Sequence, residues 1–314
     1  MRIGIDIMGG DYSPGAAIEG SLLAQKNLPT DTEVVFIGNK QVIKDYCNEN
    51  GIDISTFEII HTSHVVGMGD HPLKAYKKHP DASIFLGQKL LKNMDLDGFC
   101  SAGNTGAMLV GAMHITTPIP GVIRPGISST VPNLSGNDSI IIDVGLNPDA
   151  RPDVLYQYGM LGSILSSYVF HIEQPRVSLL NIGAESEKGN LVVRSAYELM
   201  VRNDDFYFIG NLEPNSLFTV DNADVLVCDG FVGNIVLKEA ESFYKLISMK
   251  NVCPDSFEMF NFENFGGTPV LGVRAPLVIG HGISNAKAIK NMINTTFQMV
   301  EAELSEIITE KIKL

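Results

Sequence analysis

Residues 98–107, Gly-Phe-Cys-Ser-Ala-Gly-Asn-Thr-Gly-Ala, run from a short apolar segment directly into a glycine-bearing loop and then into a helical pattern. Strand, glycine turn and helix in that order are the repeating unit of an α/β fold. Three other stretches have the same form: Ile-Asp-Ile-Met-Gly-Gly-Asp at 5–11, Cys-Asp-Gly-Phe-Val-Gly-Asn at 228–234, and His-Gly-Ile-Ser-Asn-Ala-Lys-Ala-Ile at 281–289. In an open parallel sheet such loops leave the strands at one edge, where uncovered backbone N–H groups and helix N-termini cradle an anion. The four loops point to an enzyme that handles phosphate.

Outward from these loops, apolar and largely β-branched runs predict strands at 3–7, 34–37, 57–60, 98–100, 139–143, 177–182, 206–209, 224–228 and 276–280. Helical patterns fill 15–26, 40–50, 82–93, 152–168 and 188–202. The alternation predicts an α/β fold: three layers, a mainly parallel sheet with helices on both faces. There is no internal repeat and no Pro/Gly/Ser linker, so residues 1–314 read as one α/β domain or as two interleaved lobes. From about residue 285 to the end, Ile289, Met292, Ile293, Val300, Leu304, Ile307 and Ile308 trace one face of a long helix that packs along the domain or across a dimer axis.

Composition excludes several function classes. The 314 residues are 45% apolar and carry a formal net charge of −13, which argues against nucleic acid as a partner. No apolar stretch approaches the roughly 18 residues of a membrane span, and the first strand is too short for a signal peptide, so a cytoplasmic protein is expected. The four cysteines, Cys47, Cys100, Cys228 and Cys253, lack metal-ligand or C-x-x-C spacing and read as reduced thiols. The histidines show no ligand spacing either, so neither a metal nor another cofactor is expected.

The chemistry-bearing residues lie in or beside the loops. Gly9, Gly10, Gly103 and Gly106 let the backbone approach a ligand, while Asn104 and Thr105 either cap the next helix or reach the ligand as well. Asp229 and Gly233 lead into Asn234, which either caps an amphipathic helix or donates its amide to a phosphate or thioester oxygen. Lys188 is the only basic side chain in 181–190 and reads as a phosphate counter-charge or as a solvated lysine. His281, at the end of an apolar strand, is a structural histidine or a proton donor.

Together, IDIMGGD, SAGNTGA, LNIGAESEKGN, VLVCDGFVGNIVLK and GGTPVLGVRAPLVIGHGISNAKAI resemble, in order and from Met1 to the C-terminal helix, the signature segments of the PlsX family of bacterial acyl-acyl carrier protein:phosphate acyltransferases. The resemblance implies a fold similar to the phosphotransacetylase and isocitrate dehydrogenase group, a homodimer, and a place at the entry to phospholipid synthesis. It implies transfer of a long-chain acyl group from the carrier-protein thioester to inorganic phosphate. In that reaction Lys188 and the 103–106 backbone would hold phosphate. Asn234, helped by Asn104, would polarise the thioester, and His281 would orient phosphate or assist the leaving sulfur. Four acids that end or follow strands, Asp6, Asp11, Asp143 and Asp229, would repel phosphate if crowded beside it; Asp143 is expected to pack against the turn 145–147.

Lys74, Lys77 and Lys78, in a helical turn after Asp70-His71-Pro72, form a patch suited to an acidic acyl carrier protein or an ordinary solvated face. One departure from the family pattern is the segment 235–265, too short for the family's long helical hairpin, which is linked to membrane contact and to the acyl path. Phe257, Phe260, Phe262 and Phe265 there offer a smaller apolar surface for weak peripheral contact with the inner face of the membrane. Rival classes are an acyl-CoA:phosphate acyltransferase of the phosphotransacetylase kind and a non-catalytic carrier-binding scaffold. A nicotinamide dehydrogenase fits less well, because the loops lack G-x-G-x-x-G followed by an acid about 20 residues on.

Overall fold

The computed structural model describes residues 1–133, 138–218, 223–249 and 255–312. Its elements, in chain order, are β1 (Arg2–Asp6), α1 (Gly15–Gln25), β2 (Glu33–Gly38), α2 (Lys40–Asn50), β3 (Ile59–His61), α3 (Pro72–Lys78), α4 (Ser83–Lys92), β4 (Gly98–Ser101), α5 (Thr105–Gly111), β5 (Gly126–Val131), β6 (Ser139–Ile142), α6 (Pro152–Tyr168), β7 (Arg176–Leu180), α7 (Leu191–Val201), β8 (Tyr207–Leu212), β9 (Val225–Val227), α8 (Gly230–Met249), β10 (Gly267–Leu271), β11 (Leu277–Gly280), α9 (Ala286–Glu301) and α10 (Leu304–Lys311). The chain forms two compact units, Met1–Ile119 with Phe262–Ser305, and Pro120–Asn261 with Glu306–Leu314.

In the first unit the strands run β3-β2-β1-β4-β11-β10; all neighbours are parallel except the antiparallel pair β10 and β11. Side chains alternate across a strand, and β4 uses that alternation fully. A side chain at Gly98 would meet Thr296 and Val300 of α9, whereas the next residue, Phe99, lies against Gly87 of α4. Helices therefore cover both faces of this sheet. Phe36, Phe85 and Phe99 are fully buried in its core, each worth about 1.5–3 kcal/mol of burial.

In the second unit the order is β5-β6-β9-β7-β8, with β5 antiparallel to β6 and the rest parallel. Against it packs α6, whose Gly162 lies close to Val225, Ile140 and Ile142. Pro152 starts this helix, where a missing N–H costs nothing.

Three expectations need correction. The two antiparallel strands, β5 and β10, are absent from the sequence-predicted set; β5 is Gly-Ile-Ser-Ser-Thr-Val and β10 contains Pro269, which stands in register with Val278. The single long C-terminal helix is two helices, α9 and α10, because Glu303 adopts a left-handed φ of 50°. Of the four phenylalanines only Phe257 is substantially exposed: Phe260 packs edge-on against Phe218 and beside Phe257, and Phe262 lies against the His281 ring. The Cys253-Pro254 part of that segment lies outside the described residues. Among the described residues no helix is long and apolar enough to cross a membrane.

Candidate active site

In the first unit, β1, β4 and β11 are parallel neighbours, so their carboxyl ends share one edge. Gly9, Gly10, Gly103, Asn104, Thr105, Gly106 and His281 all follow those ends. The rim is braced from below by Asp6 and Ser101. The buried Ser101 hydroxyl donates to Asp6 Oδ2 at 2.8 Å and accepts from the Gly103 N–H at 3.0 Å, while the Met8 N–H donates to Asp6 Oδ1 at 3.1 Å. The Asp11 N–H donates to the Gly282 carbonyl at 2.7 Å, tying the first loop to the last. Gly10 has a φ of 97°, a conformation that a side chain would strain.

Asn104 is more occupied than its sequence context suggests. Its Oδ1 caps α5 by accepting from the Ala107 N–H at 2.9 Å, and its Nδ2 donates to the carbonyls of Gly67, Met68 and Asp70 at 3.0–3.1 Å. An amide has two N–H bonds, and both are directed at the chain, so none is left for a thioester oxygen in this structure. Asn104 is a cap and a tether for the 67–70 turn. Gly106 is equally committed: a Cβ there would lie 2.4 Å from Pro72 Cγ. Thr105 is exposed at the first turn of α5, and the half-buried His281 ring sits 4.9 Å from that of Phe262.

Burial raises the carboxyl pKa of Asp6, against the opposing hydrogen bonds from Ser101 and Met8. An acid whose folded pKa lies above its unfolded value binds more protons when folded, so the protein loses stability as pH rises through that interval. Asp6→Asn is therefore expected to flatten the fall in stability as pH rises above the ordinary carboxylate range. Urea midpoints across that rise check it, and a wild-type slope retained in the variant would exclude Asp6 as its source.

In the second unit the parallel strands β6, β9 and β7 likewise end at one edge. The Asp143 side chain is buried there and accepts from four backbone N–H groups: Ile127 at 3.0 Å, Gly145 and Leu146 at 3.2 Å, and Asn147 at 2.6 Å. This is the packing against 145–147 that the sequence leads one to expect. The loop is stitched to the next strand exit as well, since the Gly230 N–H donates to the Asn147 carbonyl at 2.9 Å and a Cβ on Gly233 would overlap the Asp143 carbonyl.

The helix cap belongs to Asp229, not Asn234. Asp229 Oδ1 accepts from the Val232 N–H at 2.8 Å at the start of α8, which begins at Gly230. Asn234 is one turn further in, exposed, and next to the Gly145 backbone, where a side chain at Gly145 would meet it at 3.9 Å. Lys188 is exposed in the loop between β7 and α7, and its Nζ lies 4.0 Å from Glu185 Oε2. A residue that sequence reasoning overlooked shapes this loop: buried Asn181 donates to the Lys188 carbonyl at 3.2 Å and accepts from the Ile182 N–H at 2.8 Å.

Neither rim holds an activated nucleophile among the described residues. Burial raises the Cys100 thiol to about 12 and pushes that of Cys228 well up, and Ser101 is inaccessible. Asn and Lys side chains over glycine turns are suited to binding and polarising an anionic or acyl group that reacts with another substrate.

The model of the fatty acid synthesis protein family matches residues 1–307. The chain belongs to that family. Relatives at the level of this family include the phosphate acyltransferase of Dictyoglomus turgidum, 38% identical over 99% of this chain and 97% of its own length. The phosphate acyltransferase of Listeria innocua is 36% identical over 99% and 96%. Solved structures with a similar fold include a phosphotransacetylase from Streptococcus pyogenes (TM-score 0.68, 18% identity, 95% of this chain and 94% of that one). A branched-chain phosphotransacylase from Enterococcus faecalis is also similar (TM-score 0.65, 13% identity, 96% and 99%). In this member of the fatty acid synthesis protein family, one group of side chains able to hold a metal ion converges among the described residues, His64, His79 and Asp81.

Proposed function

We propose that this chain transfers a long-chain acyl group from acyl carrier protein to inorganic phosphate, giving the acyl phosphate used in phospholipid synthesis. Family membership, and relatives named phosphate acyltransferase along almost their whole length, make it an acyltransferase; the single observation that carries phosphate as acceptor is the 38% identity across 99% of the chain. A phosphate oxygen attacks the thioester carbonyl carbon, a C–O bond forms, the C–S bond breaks, and the thiolate leaves. Phosphate is anionic at neutral pH and the leaving thiol has an ordinary pKa near 8.5, so positioning supplies most of the catalysis.

In this reading Lys188 supplies the counter-charge for phosphate, the Asn234 amide donates to the thioester oxygen as charge develops on it, and His281 orients phosphate or protonates the departing sulfur. Asn104 acts through the 67–70 turn that it holds. The exposed Lys74, Lys77 and Lys78 on α3 are the docking patch for an acidic carrier protein. A homodimer and weak peripheral membrane contact complete the proposal.

Lys188→Ala is expected to raise the apparent KM for phosphate about 10-fold while leaving that for the acyl donor near its wild-type value. A charge-assisted bond is worth about 1.5–3 kcal/mol, and the half-exposed position of Lys188 favours the lower end. An unchanged phosphate KM would remove Lys188 from the site.

The donor is tested by incubating the purified chain and phosphate with palmitoyl-carrier protein or palmitoyl-CoA and trapping acyl phosphate as the hydroxamate. Faster turnover with the carrier protein is expected. Preference for palmitoyl-CoA would make the enzyme phosphotransacetylase-like, and no product from either would leave a carrier-binding scaffold.

A further inference from the structure

We propose that His64, His79 and Asp81 form a site for a borderline transition-metal dication, with zinc the expected ion. The three residues match no metal-binding spacing in the sequence; one follows β3, one ends α3 and one precedes α4. The fold brings one ligand atom from each within 4.8 Å of the others. His64 Nδ1 lies 2.9 Å from Asp81 Oδ2, and the two imidazoles are stacked with ring centroids 4.4 Å apart.

The backbones beneath these side chains are cross-braced. The Thr62 hydroxyl donates to the Asp81 carbonyl at 2.8 Å and accepts from the His64 N–H at 3.2 Å. The Ser83 N–H donates to the His64 carbonyl, and the Ala82 N–H to the His79 carbonyl, both at 3.0 Å. Three donors thus stand on a fixed base with partly exposed, rotatable tips. Ligands at 2.0–2.2 Å from a tetrahedral zinc lie about 3.3 Å apart, so the tips need only close by side-chain rotation.

Donor chemistry selects the ion. Two imidazoles and one carboxylate suit zinc, cobalt or nickel, whereas calcium and magnesium require a shell of oxygens that this cluster lacks. Three protein ligands leave a fourth position for water. A bound ion would fasten the segment after β3 to the end of α3, the helix that carries Lys74, Lys77 and Lys78.

Calorimetric titration of the full-length protein with zinc is expected to give one ion per chain, and cobalt is expected to give a visible tetrahedral spectrum. His64→Gln, His79→Gln and Asp81→Asn should each weaken zinc at least about 10-fold, while His171→Gln, an exposed histidine elsewhere, and calcium in place of zinc serve as controls. Should His79→Gln melt early because it ends a helix, the largely exposed Asp81 keeps the test valid. Wild-type zinc binding in the Asp81 and His64 variants, equal loss in His171→Gln, or no zinc binding at all would overturn the site.

Discussion

Asn234→Ala is expected to lower turnover by roughly 10², equivalent to about 2.7 kcal/mol of transition-state stabilisation, with no change in melting temperature. The expectation rests on what Asn234 does not do. Asp229 caps α8, and Asn234 sits a turn inside the helix, exposed beside the Gly145 backbone. Its removal therefore costs the fold little, while a thioester oxygen loses the donor that we assign to it. The KM for phosphate should stay close to the wild-type value, because the lost interaction strengthens only as the carbonyl oxygen gains charge. Steady-state kinetics together with a thermal melt separate the possibilities. A lowered melting temperature with near-normal turnover would return Asn234 to a purely structural role.

Asp143→Ala is expected to lower the free energy of unfolding by about 3–5 kcal/mol. The substitution strands four backbone N–H groups that now converge on one carboxylate, and a stranded buried donor costs about 1–3 kcal/mol. Two effects reduce the sum below four full penalties. Water can enter the space left behind, and the fold is relieved of a buried carboxylate, whose desolvation is the main cause of its raised pKa. Asp143→Asn should cost less, since one acceptor oxygen survives. Urea unfolding measures both, and a loss under about 1 kcal/mol for the alanine variant would show that the 145–147 loop holds itself without Asp143. Because that loop receives the Gly230 N–H and borders Asn234, turnover of any folded fraction should fall as well.

How far the fold can be read in the sequence depends on where each segment's apolar surface goes. The central parallel strands are buried on both faces, so they stand out as continuous apolar runs such as Val34 to Ile37 and Val225 to Val227. Both antiparallel strands were hidden by their chemistry, β5 by serines and threonine and β10 by a proline that normally argues against a strand. The break between α9 and α10 carries no glycine or proline to announce it; Glu303 takes the left-handed conformation itself.

The site residues were legible as loops but not as bonds. Spacing identified the strand exits and the expected partner of Asp143, because those are local in the chain. It could not show that Asn104 spends its amide on the 67–70 turn, more than 30 residues away, nor that Asp229 takes the capping role. His64, His79 and Asp81 carry no motif at all, since their meeting depends on how α3 and α4 follow β3.

In the proposed reaction phosphate itself attacks the thioester, with no acyl-enzyme formed. Buried thiols with raised pKa values and an inaccessible Ser101 favour that direct attack. Release of the free carrier-protein thiol, followed at enzyme concentrations comparable to the substrate with and without phosphate, tests it directly. The expected result is no thiol without phosphate and, with it, one thiol for each acyl phosphate formed; a stoichiometric burst of thiol before phosphate is added would contradict it.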